Sequence, residues 1–149
     1  MKKILFFLLI SNFAFAQLSQ DSIQNMAKSY FETKFVQETF KDPYSYELKK
    51  IWSEPITRNS DLINKITQLE VILNSPAFSK KEKKQFGETL VKRREELSKL
   101  SSKESEIIVA YSVYFDTYGA NSLGNKVLGK YTMTVDSNGS ILGKIVKLN

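Results

Sequence analysis

Residues 106–148 read EIIVAYSVYFDTYGANSLGNKVLGKYTMTVDSNGSILGKIVKL, and this stretch decides the fold. Apolar residues recur at every second position. Ile107, Val109, Tyr111, Val113 and Phe115 share one face of a strand, while Ile108, Ala110, Ser112, Tyr114 and Asp116 share the other. Residues 118–125 form a polar, glycine-bearing loop. The next strand is expected over residues 127–136, with Val127, Gly129, Tyr131, Met133 and Val135 inward and Lys130, Thr132, Thr134 and Asp136 outward. Ser137-Asn138-Gly139 is a hairpin turn signal, and residues 141–148 supply the last strand. Short turns make these three strands an antiparallel meander.

Upstream, the spacing predicts a helix over residues 19–41. Ile23, Met26, Ala27, Tyr30 and Lys34 follow the helical period, and Phe31 and Phe35 widen the apolar face. Ser19 suits the N-cap, and Asp42-Pro43 ends the helix because the residue before proline is pushed out of the α region. Residues 44–56 alternate as a strand whose phase slips at Lys49-Lys50, the mark of a bulge or an edge strand, and Pro55 closes it. A second helix over residues 59–74 carries Leu62, Ile66, Leu69 and Leu73. After a short breaker, Ser79-Lys80-Lys81-Glu82 opens a third with a capping box. Phe86, Leu90, Leu97 and Leu100 are its apolar positions, and the leucines of this helical pair are read as packing rather than as a partner-binding seam. The expected fold is α+β: an N-terminal helix packed on a roughly four-stranded antiparallel sheet, with a helical hairpin (residues 58–103) inserted between the first and second strands.

The chain's first residues indicate its destination. Met1-Lys2-Lys3, the apolar run of residues 4–10 and Ala14-Phe15-Ala16 are the three parts of a secretory signal peptide, residues 1–16. Residues 17–149 then form a single exported domain, periplasmic or extracellular, with no integral membrane segment after cleavage; an uncleaved anchor is the competing reading. With no cysteine and no histidine among 149 residues, the chain cannot build a thiol nucleophile, a disulfide, a zinc–thiolate site or a Ser-His-Asp triad. No cofactor and no metal site is expected.

Charge is concentrated in one place. The formal charge of +6 falls to +4 once Lys2 and Lys3 leave with the signal. Residues 80–103 hold Lys80, Lys81, Lys83, Lys84, Lys92, Arg93, Arg94, Lys99 and Lys103 against Glu82, Glu88, Glu95 and Glu96. This stripe either attaches electrostatically to an anionic polymer or membrane surface or is a solvated helix face. The interleaved acids and the scarcity of aromatics favour the solvated face. Asp136-Ser137-Asn138-Gly139 also matches the start of a calcium loop, but its twelfth position is Lys147, so it reads as a hairpin. Asp42, Glu47, Asp116 and Asp136 are the acids nearest the sheet; no spacing pairs them, and no motif surrounds Ser112 and Lys130. The 118–125 loop with Lys126 is the best remaining candidate for a recognition surface, carried by Tyr118, Asn121, Asn125 and Lys126, although a connection whose Asn and Gly residues merely permit turns is the slightly favoured reading.

Phe40-Lys41-Asp42-Pro43-Tyr44-Ser45-Tyr46-Glu47, Asn121-Ser122-Leu123-Gly124 and Asp136-Ser137-Asn138-Gly139 resemble a group of small uncharacterised exported proteins of Gram-negative bacteria. These carry a KDPxSY helix-to-strand junction and an NSxGG-like loop before the final strands; here Asn125 stands where the second glycine would be. The resemblance covers the first helix and strand and the last third of the chain. It implies an envelope or secreted location and an α+β fold, and no activity. The leading expectation is therefore a non-catalytic envelope protein that binds another envelope or secreted protein. Anionic attachment through residues 80–103 is the alternative, and a carboxylate-based hydrolase is the third reading.

Overall fold

A computed structural model describes residues 18–148; the expected signal peptide, residues 1–16, lies outside the described residues. The protein is α+β with a four-stranded antiparallel sheet in the order β1-β2-β3-β4. The chain runs α1 (Gln20–Tyr30), a π-helical turn (Phe31–Val36), α2 (Gln37–Thr39), a 3-10 turn (Pro43–Ser45), β1 (Glu47–Thr57), α3 (Arg58–Asn74) and α4 (Lys80–Lys99). It continues through α5 (Ser102–Ser105), β2 (Ile108–Ala120), β3 (Lys126–Asp136) and β4 (Ile141–Leu148). Among the described residues no helix is long and apolar enough to cross a membrane.

The core lies between the N-terminal helix and one face of the sheet. Ile23, Ala27, Phe31 and Val36 pack with Tyr111, Val113 and Phe115 of β2 and Met133 and Val135 of β3. Phe31 stacks on Phe115 with ring centroids 4.3 Å apart, and Phe35, Phe40, Tyr46 and Tyr131 surround the pair. The seam is not the one the α-helical period suggests. Met26 and Tyr30 are 43% and 40% exposed. Five residues beyond Phe31, an α-helix would have turned about 140° past the seam. The π-turn absorbs that excess and returns Val36 to the core.

β1 starts later than its tyrosine alternation suggests. Pro43 opens the 3-10 turn, the Asp42 carboxylate accepts a hydrogen bond from the Tyr44 amide at 3.1 Å, and Tyr44 is left 99% exposed. The phase slip is a break in register between Leu48 and Lys50, on a strand at the sheet's edge. Pro55 does not end β1; it lies opposite Tyr111, a place where an edge strand tolerates a residue without an amide proton. β2 runs on through Tyr118, Gly119 and Ala120, which shortens the expected loop to residues 121–125. Gly119 is needed there as strand, since a Cβ would lie 2.9 Å from the Phe40 ring. In the 137–140 turn, Gly139 has φ +91° and lies directly under Met26. A second register break, between Thr132 and Thr134, marks the pairing of β3 with the other edge strand, β4, where Gly143 has φ +77°.

α3 is capped by the Thr57 hydroxyl and α4 by a complete Ser79–Glu82 capping box. The two helices pack on each other and are tied across by Arg94–Glu70 at 2.6 Å, while Arg58 at the start of α3 reaches Glu96 at 3.3 Å. Phe31→Ala removes the ring at the centre of the core. It is expected to cost about 3–5 kcal/mol, read as a lower urea midpoint at unchanged slope.

Candidate functional site

Register divides the sheet's side chains between two faces. Tyr111, Val113, Phe115 and Thr117 point toward the N-terminal helix; Ser112, Tyr114, Asp116 and Tyr118 point away from it. On the outer face Trp52 of β1 stacks on Tyr114 of β2, ring centroids 5.1 Å apart and planes within 14°. The Lys50 ammonium lies 4.8 Å from the Trp52 ring, and the Tyr114 hydroxyl donates to Glu54 at 3.3 Å. Two same-face positions along β2, past Asp116, Tyr118 has Lys126 at 4.6 Å and Lys49 at 5.6 Å from its ring, and Lys126 also pairs with Glu47. Three aromatic rings are thus held in place by cation–π and ionic contacts while keeping solvent exposure.

The four residues read as one recognition surface fall in different places. Tyr118 and Lys126 belong together on the outer face. Asn121 turns its carboxamide oxygen into the loop, where it accepts from the amides of Leu123 at 2.9 Å and Asn125 at 3.0 Å. Asn125 closes the loop by accepting from the Asn121 amide at 2.9 Å. With Gly124 at φ +80°, these two asparagines shape the connection.

The inner face holds a cleft that periodicity does not reveal. Beyond the end of α2 the sheet extends uncovered, and a cavity of about 240 Å³ opens between Phe40-Lys41 and the far ends of β2, β3 and β4. Thr117, Gly119, Gly129, Tyr131 and Lys147 line it, with Asn121 at one end. Thr117 is only 1% exposed, and its hydroxyl has no hydrogen-bond partner among the described residues. Gly129 lies opposite Thr117, and the Tyr131 ring folds over it, so a Cβ there would lie 2.7 Å from the ring. Burial pushes the Tyr131 phenol above its usual value. A sequence signal for this cleft does exist: Thr117, Gly119 and Gly129 are small residues at inward positions next to the large Phe115 and Tyr131.

The basic stripe is only partly free. Arg93 and Arg58 both bind Glu96, at 2.8 and 3.3 Å; Arg94 binds Glu70; and Lys99 binds Glu95 at 2.6 Å. Lys80, Lys81, Lys83, Lys84 and Lys92 form no ion pair among the described residues. The sheet carboxylates are engaged separately. Asp42 caps Tyr44, Glu47 holds Lys126, and Asp136 accepts from the amides of Asn138 at 2.9 Å and Ser140 at 2.8 Å. Asp116 lies between Lys50 and Lys130 in register, with one carboxylate oxygen buried and unpartnered; Ser112 faces Thr134 rather than Lys130.

No family model, no curated protein and no solved structure matches the chain.

Two outcomes follow from this geometry. Thr117→Val replaces a buried hydroxyl that lacks a partner with a methyl, and should raise stability by about 1 kcal/mol in urea denaturation. Hydrogen bonds from Arg93 and Arg58 hold the Glu96 carboxyl below its usual value, and those from Ser79 and Ser101 do the same for Glu82 and Glu104. Depressed carboxylates contribute stability that is fully present above the unfolded value of about 4.3 and is lost as pH falls through the lower folded values. Helical circular dichroism followed against urea should therefore show a midpoint that falls below about pH 4. Glu96→Gln should flatten that dependence.

Proposed function

We propose that this chain is an exported, non-catalytic interaction module, with α3 and α4 as a helical-hairpin insertion, that binds another envelope or secreted protein through the outer face of its sheet. The carrying observation is the row formed by the Trp52–Tyr114 stack and Tyr118, the latter flanked by Lys49 and Lys126. Tryptophan and tyrosine contribute most to protein interfaces when they are already rigid, because little side-chain entropy is lost on binding. Here the strands and the flanking lysines supply that rigidity. The same lysines suit a partner surface bearing carboxylates. Asn121 and Asn125 support this surface by fixing the β2–β3 connection rather than by touching the partner.

The experiment places a photo-crosslinking residue at Trp52 or Tyr118, and at Val71 on α3 as a control, in the protein expressed in its own cells. A single defined protein should crosslink from positions 52 and 118 and survive a high-salt wash. Position 71 should not yield it, and Tyr114→Ala should abolish it. The same product from all three positions, or none from the sheet, would overturn this reading.

A second reading has its own observation. Lys80, Lys81, Lys83 and Lys84 crowd the first turns of α4 without ion pairs among the described residues, beside the Phe78–Phe86 contact at 5.5 Å. Anionic attachment would run through these lysines, not through Arg93 and Arg94, which tie the helices together. Replacing the four lysines by glutamine should abolish salt-sensitive retention on heparin while leaving thermal stability nearly unchanged. Equal retention would exclude attachment by this route.

A further inference from the structure

The inner cleft lies on the opposite side of the sheet from the proposed protein-binding face, and its chemistry is different. Its walls are the Phe40 and Tyr131 rings, 5.9 Å apart between centroids, and the side chain of Val127. Two cationic side chains line it, Lys41 and Lys147, and neither forms an ion pair among the described residues. No acidic residue among the described ones lines it. The floor holds the one feature that packing alone does not explain. Thr117, 1% exposed and between Leu48 and Gly129 in register, has a hydroxyl with no partner among the described residues. A valine of nearly the same shape would fill this position without that penalty. The Tyr131 hydroxyl, close to Gly129 and therefore on the same patch of floor, makes no hydrogen bond within the described residues either.

We propose that this cleft is a binding site for a small organic carboxylate with an apolar body. The carboxylate lies within reach of the Lys41 and Lys147 ammonium groups, and the apolar body lies against Phe40, Val127 and Tyr131. Tyr131 offers the hydroxyl that fixes its orientation. The volume of about 240 Å³ is slightly below the usual range for drug-sized ligands, which points to a short aliphatic or single-ring acid rather than a lipid or a peptide. Charge recognition comes from the two lysines, with no carboxylate on the walls among the described residues. Gly119 and Gly129 let the two rings settle directly on the strands, where a Cβ would lie 2.9 and 2.7 Å from them.

The test is a titration of the purified, isotope-labelled protein followed by amide NMR, with benzoate and hexanoate as probes and benzyl alcohol and hexanol as their uncharged counterparts. Both acids should give saturable shifts at the amides of Gly119, Asn121 and Gly129, with the amides of Trp52 and Tyr114 unmoved. The alcohols should bind at least about fivefold more weakly. Lys41→Met and Lys147→Met keep the apolar stems, and each should weaken benzoate by about three- to fivefold. Tyr131→Phe, which removes only the hydroxyl, should weaken it too without lowering stability, a combination that a purely structural tyrosine would not give. No saturable shift in the cleft up to about 20 mM acid would overturn the proposal. Equal binding of acid and alcohol would also overturn it, as would unchanged affinity in both lysine variants.

Discussion

Phe31 and Phe115 face each other with their rings nearly parallel, and the position of the N-terminal helix on the sheet follows from that contact. Phe31 must enter the core from a helix that also buries Ile23 and Ala27, two turns and one turn earlier. A straight α-helix cannot then bring Val36 to the same side. The chain inserts a π-turn directly after Phe31, and Phe40 arrives over Gly119. A chain of aromatic contacts runs from this pair through Phe35, Phe40 and Tyr46 to Tyr131. It joins the end of the helix, the start of β1 and the middle of β3.

Where the helix stops has consequences for both faces. β2 and β3 extend past Phe40, so their inward positions at that end are not covered by a helix. Small residues stand there, and the cleft is what remains between them and the last aromatic ring. On the other face β1 and β2 bring Trp52, Tyr114 and Tyr118 into a row. The buried, orphaned oxygens of Asp116 and Thr117 are adjacent in sequence and on opposite faces of the same strand. β2 is therefore the element through which the two faces are connected. Tyr46 adds a polar tie on this side of the molecule. Its hydroxyl bonds Glu32, itself paired with Lys28, and burial followed by the nearby carboxylate raises the phenol's pKa.

Much of the architecture could be read from local pattern. The two-residue period from Ile108 onward, the Ser19 cap, the Ser79–Glu82 box and the phase slip at Lys49-Lys50 each have a local cause, and a local cause is visible in a sequence. What escaped depends on contacts distant in the chain. The π-turn answers the placement of Phe115 more than eighty residues away. Tyr118, Gly119 and Ala120 look like loop until the Phe40 ring over Gly119 explains the glycine. The separation of Asn121 from Tyr118 needed the strand boundary to be known. The division of the basic stripe into paired arginines and unpaired lysines needed the position of Glu70 on the neighbouring helix.

The two outer strands share a further property. β1 breaks register at Leu48/Lys50 and carries Pro55, while β4 breaks register opposite Thr132/Thr134 and carries Gly143 with a positive φ. A regular, flat outer strand would offer its free amides and carbonyls to the same strand of another copy, and the sheet would grow from molecule to molecule. Here each border is irregular within a few residues of its middle, and the lysines at positions 49, 50, 144 and 147 add charge repulsion between copies. Growth of the sheet from copy to copy is thus obstructed at both of its borders.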